Sequence, residues 1–222
     1  MSETPYTAET PDDIKNAKSL HLLTYNTGNG QAVQIFLEEL AEAYGLKWTT
    51  TLINIFDKSK NPPFAIHETS AKLLYLVNSV DKERIFSFEG EQENSEMLQW
   101  LFFWHGSATP YLGQFVHFSK VAPEKNEYAT NRFRNESMRI YGVLELRLSG
   151  KYGEPRDFLA GKGKGKYSVA DMKAWPWVQY WEPCGFTKQE MDQFPHLLRW
   201  VDRIAQRPAV QIGIGSKYKQ ET

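Results

Sequence analysis

Cysteine, which can act as a nucleophile, a disulfide partner or a zinc ligand, occurs once in this chain. The single cysteine, Cys184, excludes an intrachain disulfide and a Cys-rich zinc site. Gly161 to Lys166 alternates glycine with lysine and superficially resembles a phosphate-binding loop, but it lacks the Gly-x-x-x-x-Gly-Lys-Ser/Thr pattern. We therefore predict a flexible linker at this position, and no metal site in the chain.

Aromatic side chains are the other chemically informative group. They make up 14% of the 222 residues and include 7 tryptophans. Aromatic residues dominate the energetics of packed cores, and they also line pockets for flat, apolar ligands. Composition alone leaves both interpretations open.

The charge balance excludes several classes of protein. The formal net charge is -1, so there is no broad basic field of the kind that binds nucleic acid. The sequence contains no run of 18 apolar residues, so no membrane span is predicted. Because Met1 to Asn16 lacks the pattern of a secretory signal, we expect a cytoplasmic protein.

Hydrophobic periodicity predicts a small α/β module near the start of the chain. Residues 1–17 are polar and are predicted to form a flexible tail. Leu20 to Tyr25 is predicted to be a strand, and Lys47 to Ile55 a second one. Between them, apolar residues at three- and four-residue steps from Val33 to Tyr44 predict an amphipathic helix, which Gly45 ends. This order is a βαβ unit, so the strands should be parallel.

Only helices are predicted beyond residue 94. The α/β module, at 18–82, includes a further helix from Glu68 to Asn78, and an all-helical module is expected at 93–212. Pro110 is predicted to interrupt the first of these helices, and Pro123 to start the next, which runs to Leu148. Ser168 to Asp171 is predicted to cap the N-terminus of a further helix. The last helix is predicted to start at Pro195 and to stop at Arg207-Pro208.

Several stretches, taken in order, resemble the glutathione S-transferase superfamily, in particular its fungal nitrogen-regulator-like branch. The resemblance implies a thioredoxin-like N-terminal domain with a shortened sheet, followed by the helical C-terminal domain of the family. The stretches are Asn29-Gly30 with Val33 and Glu38-Glu39-Leu40, Ile66 to Ala71 with Leu73 to Val77, Trp100 to Phe103 with Gly113-Gln114 and His117-Phe118, Tyr141 to Glu145, Ser168 to Asp171, and Arg207 to Val210.

One departure from the family pattern concerns the sheet. The family places a strand with a cis-proline between the second helix and the glutamate motif, and the backbone of that strand pairs with glutathione. Here only Asp57 to Pro63 separates the second strand from Phe64. Roughly 20 residues, the length of a helix plus a strand, are missing. Pro63 is the candidate replacement for the cis-proline.

The resemblance implies glutathione as cofactor and three residues that bind it. Asn29, at the start of the first helix, would donate a hydrogen bond to the glutathione sulfur, where a helix N-terminus also favours the thiolate. Glu68 would bind the γ-glutamyl ammonium, and Thr69 the γ-glutamyl carboxylate. The alternative is that Asn29 only caps its helix and that Glu68 is a simple acidic helix start.

A pocket for the second substrate would lie between the first helix and the fourth and sixth helices of the family. Any single aromatic candidate for it is more often a core residue than a pocket residue, and a histidine among aromatic residues is usually structural. The candidates for substrate binding are Tyr25, Trp104, His105, Tyr111, Phe115 and Trp175.

These features predict an enzyme that adds the glutathione thiolate to an electrophilic, apolar substrate, such as an intermediate of secondary metabolism. A glutathione-dependent cis-trans alkene isomerase is one alternative, and a non-enzymatic binding or regulatory protein with the same fold is another. The resemblance also implies a homodimer. No nucleic-acid or membrane partner is expected.

Overall fold

The computed structural model describes residues 12, 19–52 and 66–219 of the chain. The predicted tail at 1–17, apart from Asp12, lies outside the described residues. So do the turn at 57–63 and Pro63, the candidate replacement for the cis-proline.

The N-terminal part is the predicted βαβ unit. Strand β1 (His21–Thr24) pairs in parallel with β2 (Thr49–Leu52), and His21 lies opposite Thr49. Helix α1 (Gly28–Tyr44) connects them and ends at Gly45, whose φ of 66° is the left-handed conformation that favours glycine. Within the described ranges the sheet has these two strands.

Helix α1 is buried over nine consecutive residues, from Ala32 to Leu40, although its sequence is amphipathic. The polar side of the helix is covered by the end of the chain. Glu39 makes a two-pronged ion pair with Arg207, at 2.6 and 2.7 Å, and Glu38 accepts hydrogen bonds from Lys217 and Tyr218, both at 2.6 Å. Pairing of this kind satisfies carboxylates that would otherwise be costly to bury.

The rest of the described chain is helical. Helix α2 (Thr69–Ser79) follows the sheet, and the other helices pack around a single hydrophobic cluster that also includes α1. They are α3 (Glu91–Phe103), a π-helical segment (Trp104–Ala108), α4 (Thr109–Val116), a second π-helical segment (His117–Val121), α5 (Glu127–Ser149), α6 (Val169–Val178), α7 (Trp181–Cys184), α8 (Lys188–Met191), α9 (Pro195–Ala205), α10 (Pro208–Gly213) and a 3-10 turn (Ser216–Tyr218).

Three proline-based boundaries are confirmed and one is wrong. The α-helical pattern is interrupted by a π-helical segment just before Pro110, α9 begins at Pro195, and α9 ends at Ala205, before Arg207-Pro208. Pro123, however, does not open α5. That helix begins after Asn126, whose side chain accepts a hydrogen bond from the Ala129 N–H at 2.9 Å and so caps the helix better than proline does.

The predicted cap of α6 is confirmed, and it also joins helices. The N–H and the hydroxyl of Ser168 both donate to Asp171 Oδ2 at 3.1 Å, while Asp171 Oδ1 accepts from the Leu159 N–H at 3.0 Å and the Trp200 Nε1–H at 2.9 Å. Burial raises the pKa of Asp171 to about 6.

None of the helices in the described ranges is both long enough and apolar enough to cross a membrane.

Candidate functional site

The first turn of α1 is held close to the end of β1. The Thr27 hydroxyl caps the helix by accepting a hydrogen bond from the Gly30 N–H at 3.3 Å. A Cβ atom on Gly30 would lie 2.0 Å from the Tyr25 carbonyl oxygen, so only glycine fits there. This tight turn places half-buried Asn29 in the first turn, where helix N–H groups lack partners within the helix.

Asn29 contacts a buried lysine from the helical part of the chain. Lys173, on α6, is 1% exposed, and its Nζ donates to Asn29 Oδ1 at 2.8 Å. Burial lowers the pKa of Lys173 to about 8, and the nearby carboxylate of Glu68 opposes this shift. Sequence reasoning missed this residue. The available signal was a lysine inside the otherwise mostly apolar segment 169–178.

A tryptophan one helical turn after Lys173 covers the start of α1. A Cβ atom on Gly28 would lie 2.8 Å from both Nε1 and Cε2 of the Trp177 indole. The indole nitrogen is buried and has no hydrogen-bond partner among the described residues. Because positions i and i+4 share one helix face, Lys173 and Trp177 present a charged and an apolar group to the same turn.

Glu68 is near enough for its charge to raise the pKa of Lys173. It precedes α2 with a φ of 63°, a conformation that is strained for a residue other than glycine and that occurs frequently at functional sites. Its carboxylate is 72% exposed and lies 3.7 Å from His105 Nε2. Its charge acts on Lys173 and also on Lys72, whose pKa is lowered by burial and partly restored by Glu68.

Lys173 thus bonds Asn29 and is influenced by the charge of Glu68, which in turn lies beside His105. Thr69 is the first residue of α2, so its backbone N–H lies at a helix N-terminus beside Glu68. His105 is half-buried in the π-helical segment, and such segments often occur at functional sites because they redirect side chains.

Three of the predicted pocket aromatics lie in the core instead. Trp104, Phe115 and Trp175 are 1%, 2% and 1% exposed. The Trp175 Nε1–H donates to the Val201 carbonyl at 2.9 Å, and the Phe115 ring packs against Phe186 with centroids 4.8 Å apart. Their positions do not support the prediction that they contact a substrate, because these rings fill the space between helices.

The remaining two candidates occupy different places. Tyr25 is half-buried in the turn that leads to Asn29. Tyr111 is half-buried and lines an open hollow of about 590 Å³ between α4 and α5. None of the residues lining that hollow belongs to the group around Lys173, so Tyr111 is separate from it.

Cys184 has the properties of a structural thiol. It is 3% exposed, and burial raises its pKa to about 11. A thiol that ionises so weakly is a poor nucleophile near neutral pH.

Comparison with known proteins places these features in a family. The model of the glutathione S-transferase C-terminal domain matches residues 108–208. The disulfide-bond oxidoreductase YfcG of Escherichia coli (strain K12) is 33% identical to the chain, and the match covers 82% of this chain and 88% of YfcG.

Solved structures agree in fold. A glutathione transferase homolog from Lodderomyces elongisporus, with two GSH per subunit, has a TM-score of 0.76 and 29% identity, covering 87% of this chain and 96% of the homolog. The glutathione transferase URE2P6 from Phanerochaete chrysosporium, in complex with oxidized glutathione, has a TM-score of 0.75 and 30% identity, covering 87% and 93%. The chain therefore belongs to the glutathione S-transferase superfamily, and its structural neighbours place it in the Ure2p-like branch.

Proposed function

We propose that the protein is a glutathione-dependent enzyme that holds the glutathione sulfur at Asn29. The observation that carries this proposal is the bond between Lys173 and the Asn29 side-chain oxygen. With its oxygen engaged, the amide presents its NH₂ group to a ligand, and this group has no acceptor among the described residues. An N–H donor at a helix N-terminus stabilises a thiolate relative to a thiol.

Glu68 and Thr69 are proposed to bind the γ-glutamyl end of glutathione. The Glu68 carboxylate is largely exposed, so it is accessible to an ammonium group. The first turn of α2 offers free N–H groups to a carboxylate, and Thr69 adds a hydroxyl there. The crystallisation of two structural neighbours with glutathione or oxidized glutathione supports glutathione as the ligand.

The proposed reaction is addition of the thiolate to an electrophilic carbon of an apolar substrate. The Trp177 ring, packed on Gly28, supplies an apolar wall beside the sulfur position. A natural-product intermediate with conjugated double bonds suits such a wall. With a substrate of this kind, reversible addition would isomerise an alkene from cis to trans without consuming glutathione.

A second candidate is reduction of disulfides, which the name of the relative YfcG favours. Buried Cys184 is not suited to thiol exchange. Bound glutathione would therefore have to supply the attacking thiol. A binding or regulatory protein without catalysis is the remaining alternative, and turnover assays separate it from the enzymes.

The test measures glutathione binding by calorimetry and turnover of an electrophile by mass spectrometry. We expect glutathione to bind the purified protein, and Asn29→Ala to lower turnover of an electrophile while Asn26→Ala does not. Asn26 is the matched control because it lies in the same turn, is exposed, and bonds only Gln31, at 3.0 Å, among the described residues. Absence of both binding heat and thermal stabilisation at tens of millimolar glutathione would refute the proposal.

A further inference from the structure

A hollow with mostly basic walls lies between the loop that follows α5 and helix α9, and it shares no residue with the proposed glutathione site. Its volume is about 160 Å³. Six polar side chains line it, namely Arg156, Asp157, Lys164, His196, Arg199 and Arg203. Four of the six carry a positive charge at neutral pH and one carries a negative charge. A concave surface with such an excess of positive charge attracts anions.

Helix α9 presents three of these basic side chains on one face. His196, Arg199 and Arg203 follow at steps of three and four residues, which places them above one another along the helix. Arg199 is exposed, and its guanidinium has no hydrogen bond or ion pair with any described residue. The N–H groups of His196 and Leu197 at the start of α9 both donate to Glu145 at 2.9 Å. Side chains, and not the helix terminus, would therefore hold an anion here.

The glycine-lysine segment supplies a second unpaired cation. The Lys164 carbonyl accepts hydrogen bonds from the N–H groups of Asp157 and Phe158, at 2.7 and 3.0 Å. Gly165 has a φ of 83°, and a Cβ atom on it would lie 2.6 Å from the Phe158 carbonyl oxygen, so only glycine fits. Gly161 to Lys166 is thus a hydrogen-bonded loop rather than the flexible linker that its composition predicted. It fixes the backbone of Lys164, whose exposed side chain has no partner within the described ranges.

The other cations near the hollow share too few carboxylates. Glu96 pairs with both Arg147 and Arg156, and Asp157 pairs with Arg203 at 2.8 Å. Burial lowers the pKa of Arg156, and the like charge of Arg147 lowers it further. Two carboxylates therefore face three guanidinium groups, and the two unpaired cations come in addition. A ligand with two or more negative charges would balance this excess.

We propose that this hollow binds a pyrophosphate group, held by Lys164 and Arg199 with further contacts from Arg156 and Arg203. Guanidinium groups bind phosphate oxygens in a two-pronged geometry that an ammonium lacks, and a pyrophosphate concentrates several charges in a small volume. Free pyrophosphate and the phosphate end of a nucleotide share this chemistry. The hollow is smaller than the ~300–1,000 Å³ pockets that enclose whole drug-sized ligands. A nucleic-acid backbone is disfavoured because the chain, with a net charge of -1, has no broad basic field.

The experiment is calorimetry with inorganic pyrophosphate in a magnesium-free buffer of low ionic strength. We expect Lys164→Gln and Arg199→Gln each to weaken binding by about 10-fold, because each removes a charged hydrogen-bond donor. Neither change should alter thermal unfolding, since both side chains are unpaired in the described part of the chain. The matched control is Lys125→Gln, which removes the same charge from an exposed position outside the hollow and should change the affinity by less than about 2-fold.

A titration with ATP identifies the source of the group. An affinity for ATP at least about 10-fold above that for pyrophosphate, lost in Arg199→Gln, would identify a nucleotide as the ligand. An affinity for ATP equal to that for pyrophosphate, or weaker, would identify free pyrophosphate.

Several results would overturn the proposal. They are the absence of binding heat at about 10 mM pyrophosphate, an equal loss of affinity in Lys125→Gln and Arg199→Gln, and an unchanged affinity in the double variant of Lys164 and Arg199. Tighter binding of a glutamate hexapeptide, weakened by Arg199→Gln, would show that the hollow accepts acidic peptides instead. Glutathione binding should be the same in all these variants, so a failure of the proposed function leaves this inference untouched, and the reverse also holds.

Discussion

Replacement of Lys173 by methionine should stabilise the protein near neutral pH. Methionine is similar in length and fills the same space without a charge. Burial lowers the pKa of Lys173 from an ordinary value near 10.5 to about 8. The lysine therefore binds its proton less tightly in the folded protein than in the unfolded chain. At pH 7 the lysine is charged in both states, so the destabilising effect of its burial is fully present.

The size of the effect follows from the two pKa values. A difference of about 2.5 pH units, at about 1.4 kcal/mol per unit, corresponds to about 3 kcal/mol of unfavourable burial. Methionine also loses the bond to Asn29, worth about 1–2 kcal/mol, although the half-buried amide can then be hydrated. We therefore expect the free energy of unfolding at pH 7 to increase by about 1–2 kcal/mol.

The pH dependence gives a second, independent test. Between about pH 8 and 10.5 the unfolded chain binds more protons at this position than the folded protein, so the free energy of unfolding of wild type rises with pH in that window. Between pH 7 and pH 9, wild type should gain about 1 kcal/mol relative to Lys173→Met.

Urea unfolding at several pH values, without glutathione, measures both quantities. Lys188→Met is the control because Lys188 is exposed and pairs only with Asp192, at 2.7 Å, in the described part of the chain. A Lys173→Met variant that is less stable than wild type at pH 7, or that shows the same change between pH 7 and 9, would refute the reasoning.

Four further predictions concern ligand binding, catalysis, stability and assembly. Asn29→Ala should lower kcat by about 5- to 150-fold, and more than it weakens glutathione binding, because its bond is stronger to a thiolate than to a thiol. Glu68→Ala should weaken glutathione binding in calorimetry by about 10-fold or more, since it removes the proposed partner of the ammonium. Asp171→Ala should reduce the free energy of unfolding in urea by about 3 kcal/mol or more, because four N–H and O–H donors lose their buried acceptor. The protein should be a homodimer, and light scattering at micromolar concentration should give about twice the chain mass of 25.7 kDa.

Each of these has a result that contradicts it. Equal losses of binding and turnover in Asn29→Ala would mean that Asn29 acts on the ground state only. An unchanged affinity for glutathione in Glu68→Ala would show that Glu68 does not bind glutathione. Asp192→Ala is the control for Asp171→Ala, and a loss of the same size in both would contradict the role given to burial. A mass near 25.7 kDa in light scattering would show a monomer.

Local signals in the sequence were sufficient for the secondary structure around the site. The spacing of apolar residues predicted α1, and Ser168 with Asp171 predicted the start of α6, because helix periodicity and caps depend on neighbours within a few residues. Proline predicted the starts of helices less reliably. Asn126, rather than Pro123, sets the start of α5 because a side-chain acceptor satisfies an N–H at the helix end.

The composition of the helices did not reveal which aromatic residues are buried. Trp104, Phe115 and Trp175 have the same side-chain types as residues of an open pocket, yet they fill the core. The glutamates of α1 were equally unexpected, because Glu38 and Glu39 are buried only when the C-terminal segment covers them. Exposure depends on which surfaces meet, and that information is not local.

The sequence by itself therefore determined the βαβ unit, several helix boundaries and, by resemblance, the family, since each of these is carried by short stretches of chain. Only the tertiary structure decided the chemistry around Asn29. Lys173 reaches Asn29 from a distant part of the chain, Glu68 influences its charge from a third segment, and Trp177 covers the same turn. The pKa of a lysine, and with it the chemistry that the lysine can perform, depends on the groups packed around it. Desolvation and neighbouring charges act through space and not along the chain.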